Sequence, residues 1–517
     1  MNRPTASGPN PLSQTLRASE AAWRRQDFQL SIKLLERATK INPADPCVYL
    51  DLGRAQGLRY DYAAAERSFE KAIRASNGHV QSYIAAGLHC FNFGQHEKAE
   101  VYFKRGWQHH ARSAPVMVEL AGVLERRQNL EPAADLIGRA LELDHDHPPA
   151  LLVQARIERG RGRLEKAEAI LRQLFQLRRA EIQTQVHAWY ELGGILDRQK
   201  RFDEAMAAFL AAKKLLQPEA VKFIEQRPRL RAGLQLLQDQ ITAADLQRWQ
   251  AAGARLQPAR SIALMCGHPR SGTTLLEQVL DAHPGVISAE ETSIFTTDAW
   301  QPLGRSFSED AASLDILNAA TEVALRQSRS NYFNYTEKFL GQPVGRRLLI
   351  DKNPAMNPFI PAFARVFPEA KLMVAIRDPR DVCLSCFMQP LAVNQVSCAY
   401  LNLADTGAQY ASVMGFWKAL QPRLSQPSLE IRYEELVADL ESVARRTLDF
   451  LGLPWDEKVL QFSEHARSKI IRSPTYAEAS KPIFKTAIGR WRNYQKYLEP
   501  ALEHLEPFVK MFGYEPS

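Results

Sequence analysis

Two patterns of apolar spacing divide this chain. Up to about residue 217, small and bulky residues recur every 34 positions: Gly53, Gly87 and Ala121; Ala65, Ala99 and Ala133; Phe69, Phe103 and Ile137; Ala72, Gly106 and Ala140. Each copy predicts a helix–turn–helix in which the small residues let two helices approach while Phe69 or Phe103 fills the space between them. A weaker first copy ends at Ala38 and Pro43, a fifth keeps Ala155 and Ala167, and the sixth carries Trp189, Leu192, Gly193, Ala205, Phe209 and Ala212. Six copies over residues 12–217 predict an α-solenoid. Residues 1–11 read as a disordered leader, and 218–258 as a helical cap and linker.

From about residue 259 the spacing changes. Ser261-Ile-Ala-Leu-Met-Cys266 is a continuous apolar run of strand length, and Arg347–Ile350, Lys371–Ile376 and Ser428–Tyr433 follow as further strands. A short strand ending in Glu290 and Glu291 lies between the first two. Strands that alternate with helical segments, each ending in a polar cluster, predict an open α/β parallel sheet with its site at the strand C-termini. The repeats before it match the tetratricopeptide pattern, whose stacks offer a concave surface to proteins or peptides. Such a stack is also read as a rigid spacer or a dimerisation arm.

The first strand runs into Gly267-His-Pro-Arg-Ser-Gly-Thr-Thr274 and then an apolar helix. Gly267, Ser271, Gly272, Thr273 and Thr274 form a phosphate loop in spacing, with backbone N–H groups and a helix N-terminus aimed at an anion. An ATPase would carry a lysine after the second glycine, where this chain has Thr273. Arg270 supplies the positive charge instead, so the bound nucleotide reacts somewhere other than a γ-phosphate. That disfavours a nucleotide kinase.

Pro269-Arg-Ser-Gly-Thr-Thr274, Leu280-Asp-Ala-His-Pro284 and Glu290-Glu-Thr292 together resemble the opening of protein-tyrosine sulfotransferases and their bacterial relatives. The resemblance covers roughly residues 260–515 and implies a P-loop-like sulfotransferase domain over 259–517. It implies 3′-phosphoadenosine-5′-phosphosulfate (PAPS) as co-substrate, with Glu291 as the general base and Lys352, in Lys352-Asn-Pro354, beside the bridging oxygen. Arg270 and Ser473 complete the implied catalytic set. The matching Arg377 and Ser385, eight apart across a strand end and the next helix, would hold the 3′-phosphate. Ser473, Lys481 and Arg490 fall in a tail like the family's nucleotide-closing segment, where Lys485 is also placed. Tyr433 reads either as a nucleotide contact or as a strand-end core tyrosine.

The bare residues leave other readings beside these. Lys352 would otherwise be an exposed loop lysine. Glu290 and Glu291, adjacent on an extended segment, are expected to face opposite ways, so that only one enters the site. His268 is the rival base, while His283, before Pro284, reads as a cap. Asp378 and Asp381 read as helix caps, and Arg380 either as a helper of Arg377 or as a solvated charge.

Composition narrows the rest. A length of 517 residues suits two to four domains, and a net charge of +8 suits an anionic ligand. No long Lys/Arg run argues for nucleic acid. The first residues lack the apolar core of a signal peptide, and no run approaches the ~18 apolar residues of a membrane span, so a cytoplasmic protein is expected. Six cysteines make no disulfide framework, and Cys383-Leu-Ser-Cys386 is read as incidental. No metal is expected, because Arg270, Lys352 and backbone N–H groups can neutralise the developing charge. The acceptor is expected to be a peptide or protein tyrosine, with a carbohydrate, lipid or small-molecule hydroxyl as the alternative. The repeats would dock the acceptor, a partner or a second copy. A non-catalytic repeat scaffold with a decayed nucleotide domain is the rival from another class.

Overall fold

The computed structural model describes residues 10–308, 310–468 and 487–516, and the chain divides into two compact units between Thr184 and Gln185. Residues 1–9 of the expected leader lie outside the described residues, and Asn10 caps the first helix, which opens at Pro11. The first unit holds five helix pairs, from Pro11–Arg24 with Phe28–Ile41 to Pro148–Gly160 with Leu164–Phe175. The small-residue positions work by exclusion. A Cβ at Gly53 would lie 2.4 Å from the Phe69 ring, and one at Gly87 would lie 2.4 Å from the Phe103 ring. Both rings are fully buried, so helix spacing and ring packing are one constraint.

The period also appears in the backbone, where the turn inside each pair has a residue with positive φ. These are Gln26, Tyr60, Gly94, Gln128 and Gly162, again 34 apart, and only two are glycines. The left-handed turn is therefore imposed by the packing of the two helices rather than by residue preference.

In the second unit, the sixth pair, Ile182–Arg198 and Phe202–Ile224, groups with the sheet. Its polar residues are tied to the C-terminal part of the chain. Asp197 accepts from the Tyr494 hydroxyl at 2.6 Å and pairs with Arg490 at 2.8 Å. Asp203 meets Lys496 at 2.8 Å and the Tyr497 hydroxyl at 2.9 Å. Lys213 is buried, with its ammonium 4.9 Å from the centre of the Phe387 ring and 5.3 Å from that of Tyr190. The helices Arg227–Gln240 and Ala243–Gly253 then lead to the sheet.

The strands are β1 (Ile262–Gly267), β2 (Val286–Glu290), β3 (Leu348–Lys352), β4 (Lys371–Ile376) and β5 (Ser428–Arg432). All pair in parallel in the order β2-β3-β1-β4-β5. The most central strand, β1, is buried along its whole length, which explains its unbroken apolar run. One face packs Met265, Ile350, Met373 and Ile431 against Leu276, Val279 and Leu280 of the helix Thr273–Asp281. The chain moves from β1 to one side for β2 and β3, then to the other for β4 and β5. That reversal puts the topological switch point at the C-terminal ends of β1 and β4. Among the described residues, no helix is long and apolar enough to cross a membrane.

The grouping of the sixth pair gives a truncation test. A fragment of residues 185–517 should melt cooperatively, whereas 218–517, which lacks Asp197, Asp203 and Lys213, should melt at a clearly lower temperature or aggregate. Equal melting temperatures for the two fragments would show that these contacts contribute nothing to the second unit.

Candidate active site

The phosphate loop leaves the end of β1 through a tight bend. Gly267 has φ +147°, and a Cβ there would sit 2.6 Å from the carbonyl oxygen of Ala375 on β4. Gly272 has φ +93° and caps the helix Thr273–Asp281; a Cβ there would strike the Tyr433 ring at 2.4 Å. Between them Arg270 adopts φ +74°, a left-handed conformation that a side chain makes unfavourable.

Around this loop the structure gathers Arg270, Arg377, Ser385 and Tyr433. Arg270 Nε donates to Ser385 Oγ at 3.1 Å, and Arg377 Nη1 donates to the Arg270 carbonyl at 3.1 Å. The Arg377 guanidinium lies 4.8 Å from the centre of the Tyr433 ring. The hydroxyl expected beside Arg377 is thus engaged by Arg270, and both arginines share one polar nest. Arg377 Nε is buried with no hydrogen-bond partner among the described residues, which is costly unless an acceptor fills the gap.

Other basic residues are committed elsewhere. Arg380 is buried, held by Asp378 at 2.8 Å and stacked on Trp491 at 3.8 Å, so it is neither a helper of Arg377 nor a solvated charge. Asp378 caps the helix Pro379–Phe387. Asp381 instead accepts from the backbone N–H groups of Gly489 at 2.7 Å and Trp491 at 2.9 Å, anchoring the tail. Arg490 pairs with Asp197 and is not brought to the phosphate loop by any described contact. Ser473, Lys481 and Lys485 lie outside the described residues.

The second cluster sits where β2 and β3 end. Lys352 is fully buried, and three carboxylates surround its ammonium: Glu291 at 2.8 Å, Glu290 at 3.3 Å and Glu277 at 3.6 Å. Burial works against its charge. The carboxylates, led by Glu277, outweigh burial and hold the ammonium above the ordinary lysine range.

The expectation that Glu290 and Glu291 face opposite ways fails. Glu291 has φ +49°, and its N–H donates to the Lys352 carbonyl at 2.7 Å, so the extended alternation stops at Glu290. Both side chains then reach the same ammonium, and only Glu291 is substantially exposed, at 37% of its side chain against 4% for Glu290. Sequence reading missed Glu277 altogether. Its signal was a charged residue one turn into the helix that follows the phosphate loop, between the apolar Leu275-Leu276 and Val279-Leu280.

The two histidines behave differently from each other. His268 is fully buried against Tyr400 and Tyr410, and burial lowers its pKa to about 4, so its imidazole is neutral. His283 accepts from the Gly285 N–H at 3.0 Å and meets the Pro454 carbonyl at 3.0 Å, which is a turn-stabilising role. Cys383 and Cys386 are both buried free thiols.

Comparison with known proteins covers both parts of the chain. Residues 262–457 match a sulfotransferase family model, and residues 16–79 and 152–220 match a tetratricopeptide repeat model. The chain carries tetratricopeptide repeats and a sulfotransferase domain. It is 25% identical over 407 residues to an uncharacterised protein of Aquifex aeolicus (strain VF5), covering 76% of this chain and half the length of that relative. It is 28% identical over 274 residues to protein-tyrosine sulfotransferase 2 of Gallus gallus, covering 48% of this chain and 68% of the relative. It is 26% identical over 273 residues to protein-tyrosine sulfotransferase 1 of Danio rerio, covering 48% and 71%.

Within the sulfotransferase domain, Asp351 precedes Lys352 on β3 and accepts from the Tyr332 hydroxyl at 2.8 Å. Complete burial raises its pKa to about 7, against the opposing pull of that hydrogen bond. Its folded-state pKa thus lies above the ~3.9 of an unfolded aspartate. Its favourable contribution is complete below about pH 4 and is lost as pH rises through about 7. Asp351→Asn should flatten the fall in melting temperature between pH 5 and pH 8, and it should melt above the unsubstituted protein at pH 8. Parallel pH profiles for the two proteins would refute the assignment.

Proposed function

We propose that this chain transfers a sulfonate from PAPS to the phenolic hydroxyl of a tyrosine in a peptide or protein, with the repeats docking the acceptor or a partner. The observation that carries the reading is the pairing of exposed Glu291 with buried Lys352 at 2.8 Å, beside the helix that the phosphate loop opens. In this reading the loop N–H groups and Arg270 take the 5′-phosphosulfate. Arg377 and Ser385 take the 3′-phosphate, and the unpartnered Arg377 Nε suits an anionic oxygen. The relatives named as protein-tyrosine sulfotransferases support tyrosine as the acceptor.

The chemistry follows from charge placement. Glu291 takes the proton of the acceptor hydroxyl as that oxygen forms its bond to sulfur. The bond between sulfur and the bridging phosphate oxygen breaks, and its electron pair leaves with the nucleotide phosphate. Lys352 and Arg270 offset the charge that grows there. A phenol has an unperturbed pKa near 10, so a positioned base contributes about 10²–10⁴ in rate at neutral pH.

Two measurements test this reading. Calorimetry should show tighter binding of 3′-phosphoadenosine-5′-phosphate than of 5′-AMP, by about tenfold to a hundredfold for a charge-assisted contact, and Arg377→Ala should remove most of that preference. Equal affinities for the two nucleotides would sink the assignment of PAPS. With labelled PAPS and tyrosine peptides, Glu291→Gln should keep nucleotide affinity and lose about 10²–10⁴ of kcat. If His268→Ala abolishes turnover while Glu291→Gln does not, the base has been misassigned. Sulfation of a carbohydrate, lipid or small phenol with tyrosine peptides inert would replace the acceptor and leave the chemistry standing.

A further inference from the structure

Glu277 has no part in the mechanism above, yet it is fully buried and faces the same ammonium as the proposed base. A carboxylate enclosed in an apolar core is destabilising unless its charge is matched, so its place beside Lys352 calls for an explanation. Among the described residues, Gln278 Nε2 donates to Glu277 Oε2 at 3.4 Å. Ser288 Oγ on β2 donates to Glu277 Oε1 at 2.5 Å, and Glu277 Oε2 lies 3.6 Å from Lys352 Nζ on β3. Asp281, one turn further along the same helix, faces His465 at 2.9 Å. Glu290 and Glu291, at the end of β2, complete the charged groups described around Lys352.

We propose that Glu277 is a positioning residue for the transfer step: with Glu290 it holds the Lys352 ammonium, so that Glu291 can leave it and take the acceptor's proton. The proposal rests on the sulfotransferase reading and extends it. If Glu291 were the sole counter-ion of Lys352, the pair would have to break with nothing to replace it. A carboxylate locked to a buried cation is also a poor base, because the cation favours its ionised form. Two further carboxylates change both terms. They keep Lys352 matched while Glu291 swings to the acceptor, and their negative charge increases the attraction of Glu291 for a proton. Removing either buried charge takes a negative neighbour away from the exposed member.

Glu277→Gln preserves size and can still accept from Ser288, but removes one negative charge. With labelled PAPS and a tyrosine peptide, the acid limb of the pH–rate profile should move to lower pH by about one unit. The plateau kcat should fall about tenfold while KM for PAPS stays within about twofold. Ser288→Ala, a milder change, withdraws a hydrogen bond from the Glu277 anion and should move the limb the opposite way. A readout without the acceptor is proton uptake on binding 3′-phosphoadenosine-5′-phosphate, measured by calorimetry in buffers of different ionisation heat at pH 6–7. The unsubstituted protein should take up protons as the phosphate meets the carboxylates, and Glu277→Gln should take up fewer.

If the pH limb and the proton uptake are unchanged in Glu277→Gln and only the melting temperature falls, Glu277 is structural and the proposal fails. Absence of proton uptake in the unsubstituted protein would also overturn it. Failure of the sulfotransferase reading looks different, because PAPS would then not bind and the unsubstituted protein would not turn over, whereas turnover that survives Glu291→Gln would overturn the choice of base and this proposal with it.

Discussion

A fully buried ammonium is unstable without matched charge, and the C-terminal end of β2 and β3 is built around that requirement at Lys352. Parallel pairing places Lys352 opposite both Glu290 on β2 and Met265 on β1. The helix Thr273–Asp281, which must cover the sheet to bury Leu276 and Val279, carries Glu277 into the same spot. Helix, strand register and loop are therefore coupled: shifting any one of them by a residue would leave a buried charge unmatched, which costs several kcal/mol. The same coupling fixes where the phosphate loop ends, because that helix starts at Thr273, directly after Gly272.

The parts of the molecule set by periodicity were legible in the sequence. The 34-residue spacing follows from one packing event, a small residue under a ring, and each of Gly53, Gly87 and Gly193 sits within 2.5 Å of such a ring once a Cβ is imagined. The parallel strands were legible because burial on both faces forces unbroken apolar runs. The positions of the phosphate loop, Arg377, Tyr433, Lys352 and Glu291 at or just past strand ends were legible because motif and strand end coincide, while their roles belong to the proposed function. Where contacts rather than spacing decide, the sequence was silent. Glu277 carries no sequence signal of its partners until the strands are placed under it, and Arg380 reads as either a helper of Arg377 or a solvated charge until Trp491 arrives from more than a hundred residues away. Glu290 and Glu291 were misjudged because alternation holds only while the backbone stays extended.

The sixth repeat shows a similar limit. By spacing it belongs with the five before it, since Gly193, Ala205 and Phe209 keep the pattern. Repeats in a stack usually contact only their neighbours. Here Asp197 and Asp203 are engaged by Arg490, Tyr494, Lys496 and Tyr497, so this repeat is a structural part of the sulfotransferase unit. Five helix pairs make up the first unit, and the sixth belongs with the second.

Arg270 and Glu291 are the two non-glycine residues of the site with positive φ, at +74° and +49°. A side chain in that conformation costs about 1 kcal/mol or more relative to glycine. Selection for stability alone would therefore drift toward Gly or Asn at both positions. A lineage that kept this fold but abandoned its reaction should show those replacements early, while Leu276 and Val279 stay apolar. At these two positions, unlike the packing-imposed turns at Gln26, Tyr60 and Gln128, backbone strain would be a record of use. Among descendants of such a chain, the residue standing at these two positions would separate working enzymes from retired ones without any assay.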